Sequence, residues 1–331
     1  MNEQEEEDEE DNTPLQIAAS QGDLEEVLLL LAQGTNPNDP PKGWYGKTAL
    51  QAASLQGLIV IVEALLAAGA NVDAPGGNNG GRTALTLAAG AGREEVVDRL
   101  LAHHARVDLL PHRYCGRTPL QAAAEGRSIS IIRKLIDHGA TVNDVIAHNF
   151  GRTPLQAAAE NGHADLVELL LSLGTDVNAA PSRYKGVTAL QGAAFGGHVG
   201  IVQRLIRAGA DADASGSYYN GVTALAAAAE NGHVEVTRML LKAGADVGGL
   251  SGNKRQTALQ IAVARGQVET AALIDRHEAL LAITDAEIRC IETNGTPPRV
   301  TDLASPSPAR LAQNIHGFLL TCTAEAGKHC F

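Results

Sequence analysis

The pattern of hydrophobic and polar residues along this chain repeats about every 35 residues. Each block holds a short run of the form Thr-x-Leu-Gln-x-Ala-Ala. A second run follows, in which Val or Ile precedes two branched aliphatic residues by three and four positions, as at Val167, Leu170 and Leu171. This spacing aligns the apolar side chains on one stripe of a helix. The pattern therefore predicts two short helices in every block.

The blocks are marked by eight threonines, spaced by 35 residues except for a last interval of 34: Thr13, Thr48, Thr83, Thr118, Thr153, Thr188, Thr223 and Thr257. A nearly constant period over this many copies predicts a solenoid. One pair of such short helices buries too little surface to fold alone, whereas stacked pairs share a continuous core. We refer below to units one to eight, each counted by its threonine and including the hairpin residues that lead into that threonine.

The threonines are predicted to be the N-caps of the first helices. Six of them are followed three residues later by glutamine, the spacing of a capping box: Gln16, Gln51, Gln121, Gln156, Gln191 and Gln260. A histidine after an Asn-Gly turn, as at His163 and His233, is predicted to cap the second helix.

Glycines are predicted to end the helices in the left-handed conformation. These are Gly22, Gly57, Gly162 and Gly232 after first helices, and Gly34, Gly69, Gly139, Gly174, Gly209 and Gly244 after second helices. His104 and Arg127 stand at two such positions. If they are forced into the left-handed region, each costs about 1 kcal/mol.

The segment from Gly151 to Asn178, GRTPLQAAAENGHADLVELLLSLGTDVN, resembles the ankyrin repeat, and the resemblance covers residues 12–277. It implies an all-α fold, a solenoid of eight helix-turn-helix units with extended hairpin loops, plus an irregular C-terminal helical extension. The family usually has His where this chain has Gln, an exchange that the capping box explains. Its usual period is about 33 residues, so these hairpins are about two residues longer. Long-loop arrays of this kind resemble multi-repeat ankyrin proteins of filamentous fungi.

The flanking regions differ from the repeats in composition. We expect an acidic disordered tail at 1–11, a helical extension at 278–295, a Pro/Ser linker at 296–308 and a C-terminal helix or tail at 309–331. The last segment could cap the final repeat or bind a partner as a short helix. The tail holds eight of the twelve net negative charges, which leaves −4 for the rest. This mildly acidic body argues against nucleic acid as a partner.

Several features bear on where the chain works. No apolar run is long enough to span a membrane, and the first residues lack a secretory signal pattern. The four cysteines form no Cys-x-x-Cys pair, which suits reduced thiols. We expect a cytoplasmic protein, with the nucleus as an alternative site, that is monomeric on its own.

Aromatic residues concentrate in the hairpin segments. Seven of the ten lie there: Trp44, Tyr45, Tyr114, Phe150, Tyr184, Tyr218 and Tyr219. These segments are the least able to bury a ring, and exposed Tyr, Trp and Arg are the side chains that dominate interface energetics. The rings are predicted to face a partner, or alternatively to stack on one another and stiffen the hairpins.

In the ankyrin family, hairpins and first helices border a concave groove that usually binds another protein, and the resemblance implies the same use here. The family's contact positions also include the residue before Thr and the end of the first helix. They add Arg117, Glu125, Arg152, Glu160, Phe195 and Glu230 to the predicted binding residues. The basic row Lys47, Arg82, Arg117 and Arg152 is a solvated repeat position, a strip for carboxylates of a partner, or a set of ion-pair partners for Glu125 and Glu160.

The predicted function is that of a non-catalytic scaffold that binds a partner protein in this groove, without cofactor, metal, nucleic acid or membrane. The chain shows no phosphate-binding loop, no His-Glu-x-x-His and no nucleophile elbow. One alternative is an adaptor whose region 278–331 recruits other machinery. A second is an enzyme that acts on a small molecule in the groove through Glu125 and Glu160, although their shared repeat position is better explained by the repeat itself.

Overall fold

The computed structural model describes residues 12–41, 46–77, 82–111, 116–143, 146, 151–217, 221–252 and 255–294, with side chains up to residue 283. Within them lie sixteen α-helices in eight consecutive pairs. The first helices are α1 (Pro14–Gln21), α3 (Ala49–Gln56), α5 (Ala84–Gly90), α7 (Pro119–Glu125), α9 (Pro154–Glu160), α11 (Ala189–Phe195), α13 (Ala224–Asn231) and α15 (Ala258–Ala264). The second helices are α2 (Leu24–Ala32), α4 (Ile59–Ala67), α6 (Glu94–Ala102), α8 (Ile129–Asp137), α10 (Ala164–Ser172), α12 (Val199–Arg207), α14 (Val234–Lys242) and α16 (Val268–Asn294).

The first helices begin where the threonines predict. Each of the eight threonines accepts a hydrogen bond from the backbone N–H three residues later. All six predicted capping boxes are present: in unit five, Gln156 N donates to Thr153 Oγ1 over 3.1 Å, and Thr153 N donates to Gln156 Oε1 over 3.0 Å. Two N–H groups without a partner inside the helix are thereby satisfied.

The capping glutamines have a second role that the sequence pattern did not predict. Their amide nitrogens donate to carbonyls of the hairpin that follows the same unit. Gln51 Nε2 lies 2.8 Å from the oxygen of Ala74, Gln156 Nε2 lies 2.9 Å from that of Ala179, and Gln191 Nε2 lies 2.7 Å from that of Ala214. One buried side chain therefore ties the start of a first helix to the start of the next hairpin.

Left-handed residues occur where the glycines predict them. All ten glycines predicted to end helices have φ between 72° and 93°. His104 and Arg127 adopt the same region, with φ of 62° and 56°. Both positions therefore carry the strain that the sequence predicts for a side chain in this conformation.

The units stack through small side chains in a single core that extends from Leu15 to Ile274. First helices pack on first helices far more extensively than second helices pack on second helices. Alanine and glycine at the contacts explain this difference, since a Cβ added at Gly192 of α11 would lie 3.0 Å from the Cβ of Glu160 on α9. The closest packing in the array therefore runs along the row of first helices.

One sequence prediction is wrong. His163, His198 and His233 occupy the N-cap position of α10, α12 and α14, but none makes a side-chain capping bond. The ring of His198 instead turns towards the preceding unit, where its Nε2 lies 3.2 Å from the carbonyl oxygen of Glu160. A first helix ends with unpaired carbonyls, and an imidazole N–H from the next unit satisfies one of them.

The last helix continues past the repeats. α16 runs without a break to Asn294, and Leu280 and Leu281 are exposed on it. No helix among the described residues is both long and apolar enough to cross a bilayer. The acidic tail, the linker and the C-terminal segment lie outside the described residues.

Candidate functional site

The residue before the threonine and the last residue of the first helix are eight apart in sequence and touch one another. In unit four, Arg117 Nε lies 2.5 Å from Glu125 Oε1. In unit five, Arg152 Nη2 donates to Glu160 Oε1 over 2.9 Å, and Arg152 Nε lies 2.8 Å from Glu160 Oε2 without the geometry of a hydrogen bond. A hydrogen bond between two ionised side chains is stronger than one between neutral groups. The two positions therefore form a strip along the edge between hairpins and first helices.

These charges are held within their own units. Only 9% of the Arg117 side chain is exposed, and its Nη1 also donates to the carbonyl of Gly116 over 3.1 Å. Of the three interpretations of the basic row, the intramolecular one therefore describes Arg117 and Arg152. Glu230, at the equivalent helix end of unit seven, pairs with Arg265 of the following unit.

Unit six departs from the strip. Val187 precedes its threonine where units four and five have arginine, and Phe195 ends its first helix where they have glutamate. Half of the Phe195 surface is exposed. An apolar pair thus occupies the positions that an ion pair occupies in the two units before it.

The backbone under Phe195 is fixed by the next unit. Its carbonyl oxygen accepts from Asn231 Nδ2 over 3.0 Å and from His233 Nε2 over 2.9 Å. Both donors stand on the next unit, so these hydrogen bonds tie the end of α11 to that unit. The exposed ring therefore sits on a rigid support.

Tyr184 lies on the hairpin side of the same unit. Its side chain is 36% exposed, and its carbonyl accepts from Ser182 Oγ over 3.3 Å. Its neighbours Arg183 and Lys185 are exposed, and Lys185 is in the left-handed region with φ of 53°. Unit six therefore presents an aromatic residue on each side of the edge, with two cations beside one of them.

Comparison with known proteins agrees with this architecture. A family model for ankyrin repeats in sets of three copies matches residues 1–76, 74–146, 103–180, 144–216 and 190–285. The chain belongs to the ankyrin repeat family. No match was found among curated proteins. Ankyrin repeats generally mediate protein–protein interactions and are typically non-catalytic.

The structure describes only some of the predicted binding residues of this ankyrin array. Trp44, Tyr45, Tyr114, Phe150, Tyr218 and Tyr219 lie outside the described residues. The remaining seven stand on one edge: Arg117, Glu125, Arg152, Glu160, Tyr184, Phe195 and Glu230. Whether the hairpin rings face a partner or stack on one another therefore stays a prediction, and Tyr184 as a whole residue is 36% exposed.

The pKa values of two side chains, His163 and Asp165, are shifted where units four and five of the ankyrin array meet. Burial and the nearby Arg127 guanidinium lower the pKa of His163, whereas Asp165 opposes this shift. Arg127 Nη2 lies 3.0 Å from Asp165 Oδ2, and this hydrogen bond lowers the pKa of Asp165. Arg127 therefore favours a neutral imidazole and an ionised carboxylate on the same ankyrin unit.

Three residues that support the edge were not predicted as site residues: Asn231, His233 and Arg265. Their bonds cross from one ankyrin unit to the end of the preceding first helix, over 35 to 38 positions. The signal was available in the sequence, since each lies about one period after the group that it binds. Only the stacking distance shows that such residues touch.

Proposed function

We propose that this ankyrin array is a non-catalytic scaffold that binds a partner protein along the edge between hairpins and first helices. Hairpin aromatics and Phe195 supply the anchoring contacts, and the charged helix ends set register and specificity. The main support for the proposal is the pair of exposed aromatic residues Tyr184 and Phe195. The backbone carbonyl of each accepts a hydrogen bond from another residue of the array.

Rigid aromatic side chains are suited to this role. A tyrosine or phenylalanine ring gives a large contact area and has few torsions to immobilise on binding. A frame that does not rearrange adds no ordering cost to complex formation. Both conditions favour binding through a few anchors surrounded by weaker polar contacts, the usual distribution of energy in an interface.

The same geometry bears on the enzyme alternative. Glu125 and Glu160 each bind an arginine of their own unit, Arg117 and Arg152. The structural role of these residues therefore supports the scaffold over catalysis. The adaptor alternative concerns residues 278–331 and stays a prediction.

Replacement of Tyr114, Tyr184 and Tyr219 together by alanine tests the proposal. The partner recovered from a cell extract with the immobilised wild-type chain is purified, and its Kd is measured for wild type and variant. We expect the affinity to fall by at least about tenfold, because truncation of anchoring aromatics commonly costs 2 kcal/mol or more.

The matched control replaces three exposed apolar residues at or beside the second helices, Val60, Leu173 and Val199, by alanine. This variant should keep the wild-type Kd. Unchanged affinity of the tyrosine variant, with its circular dichroism and melting temperature intact, would refute the anchoring role.

A further inference from the structure

We propose that unit six is an apolar subsite of the groove, and that it receives an apolar side chain flanked by carboxylates in an acidic segment of the partner. The inference rests on the proposed function and extends it to the chemistry of the partner. It depends on three observations: the apolar pair at an ion-pair position, the paired charges on either side, and the cations of the adjacent hairpin.

The first observation concerns two positions that are in contact. In units four and five, the residue before Thr and the residue seven after it meet as Arg117–Glu125 and Arg152–Glu160. Val187 and Phe195 occupy the same two positions in unit six. A partner side chain that enters between these two positions would meet the methyl groups of Val187 and the half-exposed Phe195 instead of two charged groups.

The second observation is that the neighbouring charges are satisfied. Arg152–Glu160 lies on one side of Phe195 and Glu230–Arg265 on the other. Paired charges attract a partner weakly, but they surround the apolar position with polar groups that shield it from water once it is covered. An apolar centre within such a ring is the usual arrangement of an interface anchor.

The third observation sets the charge of the partner. The hairpin PSRYKGV, residues 181–187, holds two exposed basic residues and no acid; Arg183 already has an interaction within the chain, so Lys185 is the cation on which the charge of the partner depends. A cationic hairpin beside an apolar position favours a segment that carries carboxylates next to its apolar side chain. Acidic groups on the partner would also avoid the repulsion that lysines would meet there.

The acidic tail of this chain is not suited to be that occupant. Residues 1–11, MNEQEEEDEED, contain carboxylates but no aromatic or branched aliphatic side chain. The tail can offer charge to Arg183 and Lys185 but has nothing equivalent to place on Phe195. The subsite therefore fits a segment of another protein that carries both carboxylates and an apolar side chain.

Three fluorescein-labelled peptides test this inference on the full chain by fluorescence anisotropy, at up to about 1 mM protein in roughly 0.1 M salt, where long-range charge effects are partly screened. The first has the sequence Glu-Glu-Leu-Phe-Glu-Glu. The second replaces its Leu and Phe by Ala, and the third replaces its Glu residues by Lys. We expect the first to bind at least about tenfold more tightly than either other, a difference of about 1.4 kcal/mol.

Variants locate the binding on unit six. The double substitution Val187→Arg and Phe195→Glu reproduces the residues of unit five, so the fold should tolerate it, and it should weaken the first peptide by about tenfold or more. If the double variant fails to fold, Phe195→Ala provides the same test and should lower the affinity for the first peptide. Val199→Glu, an exposed apolar position on α12 of the same unit, is the matched control and should leave the affinity unchanged.

Several outcomes would overturn the inference. Equal affinity for the first two peptides would show that only charge is recognised, as would binding of the first peptide that survives the change of Val187 and Phe195. Absence of binding by all three peptides would also exclude this subsite. In each case the tyrosine triple variant still reports on the proposed function, because it measures the whole partner and leaves Val187 and Phe195 unchanged.

Discussion

At the scale of residues, the repeat is defined by positions that combine two roles. A capping glutamine such as Gln156 satisfies the N-terminus of its own helix and also donates to the hairpin carbonyl of Ala179. A left-handed position ends the second helix in each of units one to seven, and glycine fills most of these because other residues are strained there. His104 is an exception whose cost can be measured directly.

Replacement of His104 by glycine should stabilise the chain by about 0.5–1 kcal/mol. The change relieves a φ of 62°, worth about 1–2 kcal/mol, and part of this gain is offset by the greater freedom of glycine in the unfolded chain. His103→Gly is the matched control, since His103 has φ of −90° and no such strain to relieve. Denaturant midpoints of the three proteins check the prediction, and a lower midpoint for His104→Gly than for wild type would contradict it.

At the scale of elements, each first helix is completed by its neighbour. The carbonyl groups at the ends of α9 and α11 receive hydrogen bonds from His198 and His233, which stand on the following units. On the outer face, second helices are joined by ion pairs such as Lys134 with Asp98, whose Nζ and Oδ1 are 2.7 Å apart. Surface pairs of this kind contribute little individually, so apolar packing dominates the contact between units.

His163 predicts a pH dependence at one of these junctions. Its pKa is lowered in the folded chain by burial and by Arg127, whereas the unfolded chain titrates near 6.5. The unfolded state therefore binds more protons in this range, and the associated stability is lost as pH falls from about 6.5 through the lowered value. The melting temperature should fall less steeply over this range in His163→Gln than in wild type.

Nuclear magnetic resonance titration of the imidazole proton provides the control for this prediction. In Arg127→Gln the pKa of His163 should move upwards, because a nearby positive charge is removed while Asp165 remains. An unchanged pKa in that variant, or a pKa at or above the ordinary value in wild type, would contradict the interpretation.

At the scale of the whole molecule, stability spreads along the stack. Among the described helices, the extensive contacts between units join neighbours, since first helices pack on adjacent first helices and second helices on adjacent second helices. Such an array behaves as a row of units coupled to nearest neighbours, so a local defect is felt nearby and fades with distance. The frame that fixes Phe195 therefore depends on the units around it.

Leu170→Ala tests this coupling. Leu170 is fully buried on α10 in unit five, so we expect a loss of about 2–5 kcal/mol in the free energy of unfolding. Hydrogen exchange should accelerate most in units four to six and least in unit one. Ile274→Ala, at a buried position of the last unit, is the control, and its effect should be confined to the C-terminal units. Uniform acceleration over all units in both variants would indicate a single cooperative block instead.

Much of the fold could be predicted because its signals are local and recur. The capping boxes, the left-handed glycines and the apolar stripes each depend on residues within one turn, and the structure confirms them in the described units. The capping prediction for His163 and His233 failed; the ring of His233 binds an acceptor on another unit, 38 residues earlier. For the candidate site, the sequence identified Phe195 and Tyr184 but gave no distances.

The sequence by itself determined the helical pairs, their boundaries and the eight-unit period of this chain, because backbone capping and apolar periodicity act over a few residues. Only the tertiary structure decided how the exposed edge is divided between charge and apolar surface. The side chains of Arg152 and Glu160 neutralise one another because folding brings two residues eight apart within 2.8 Å. Phe195, at the corresponding helix end of unit six, stays half exposed, and the position before its threonine holds valine. Contacts between units set by stacking, rather than residue type alone, made this distinction.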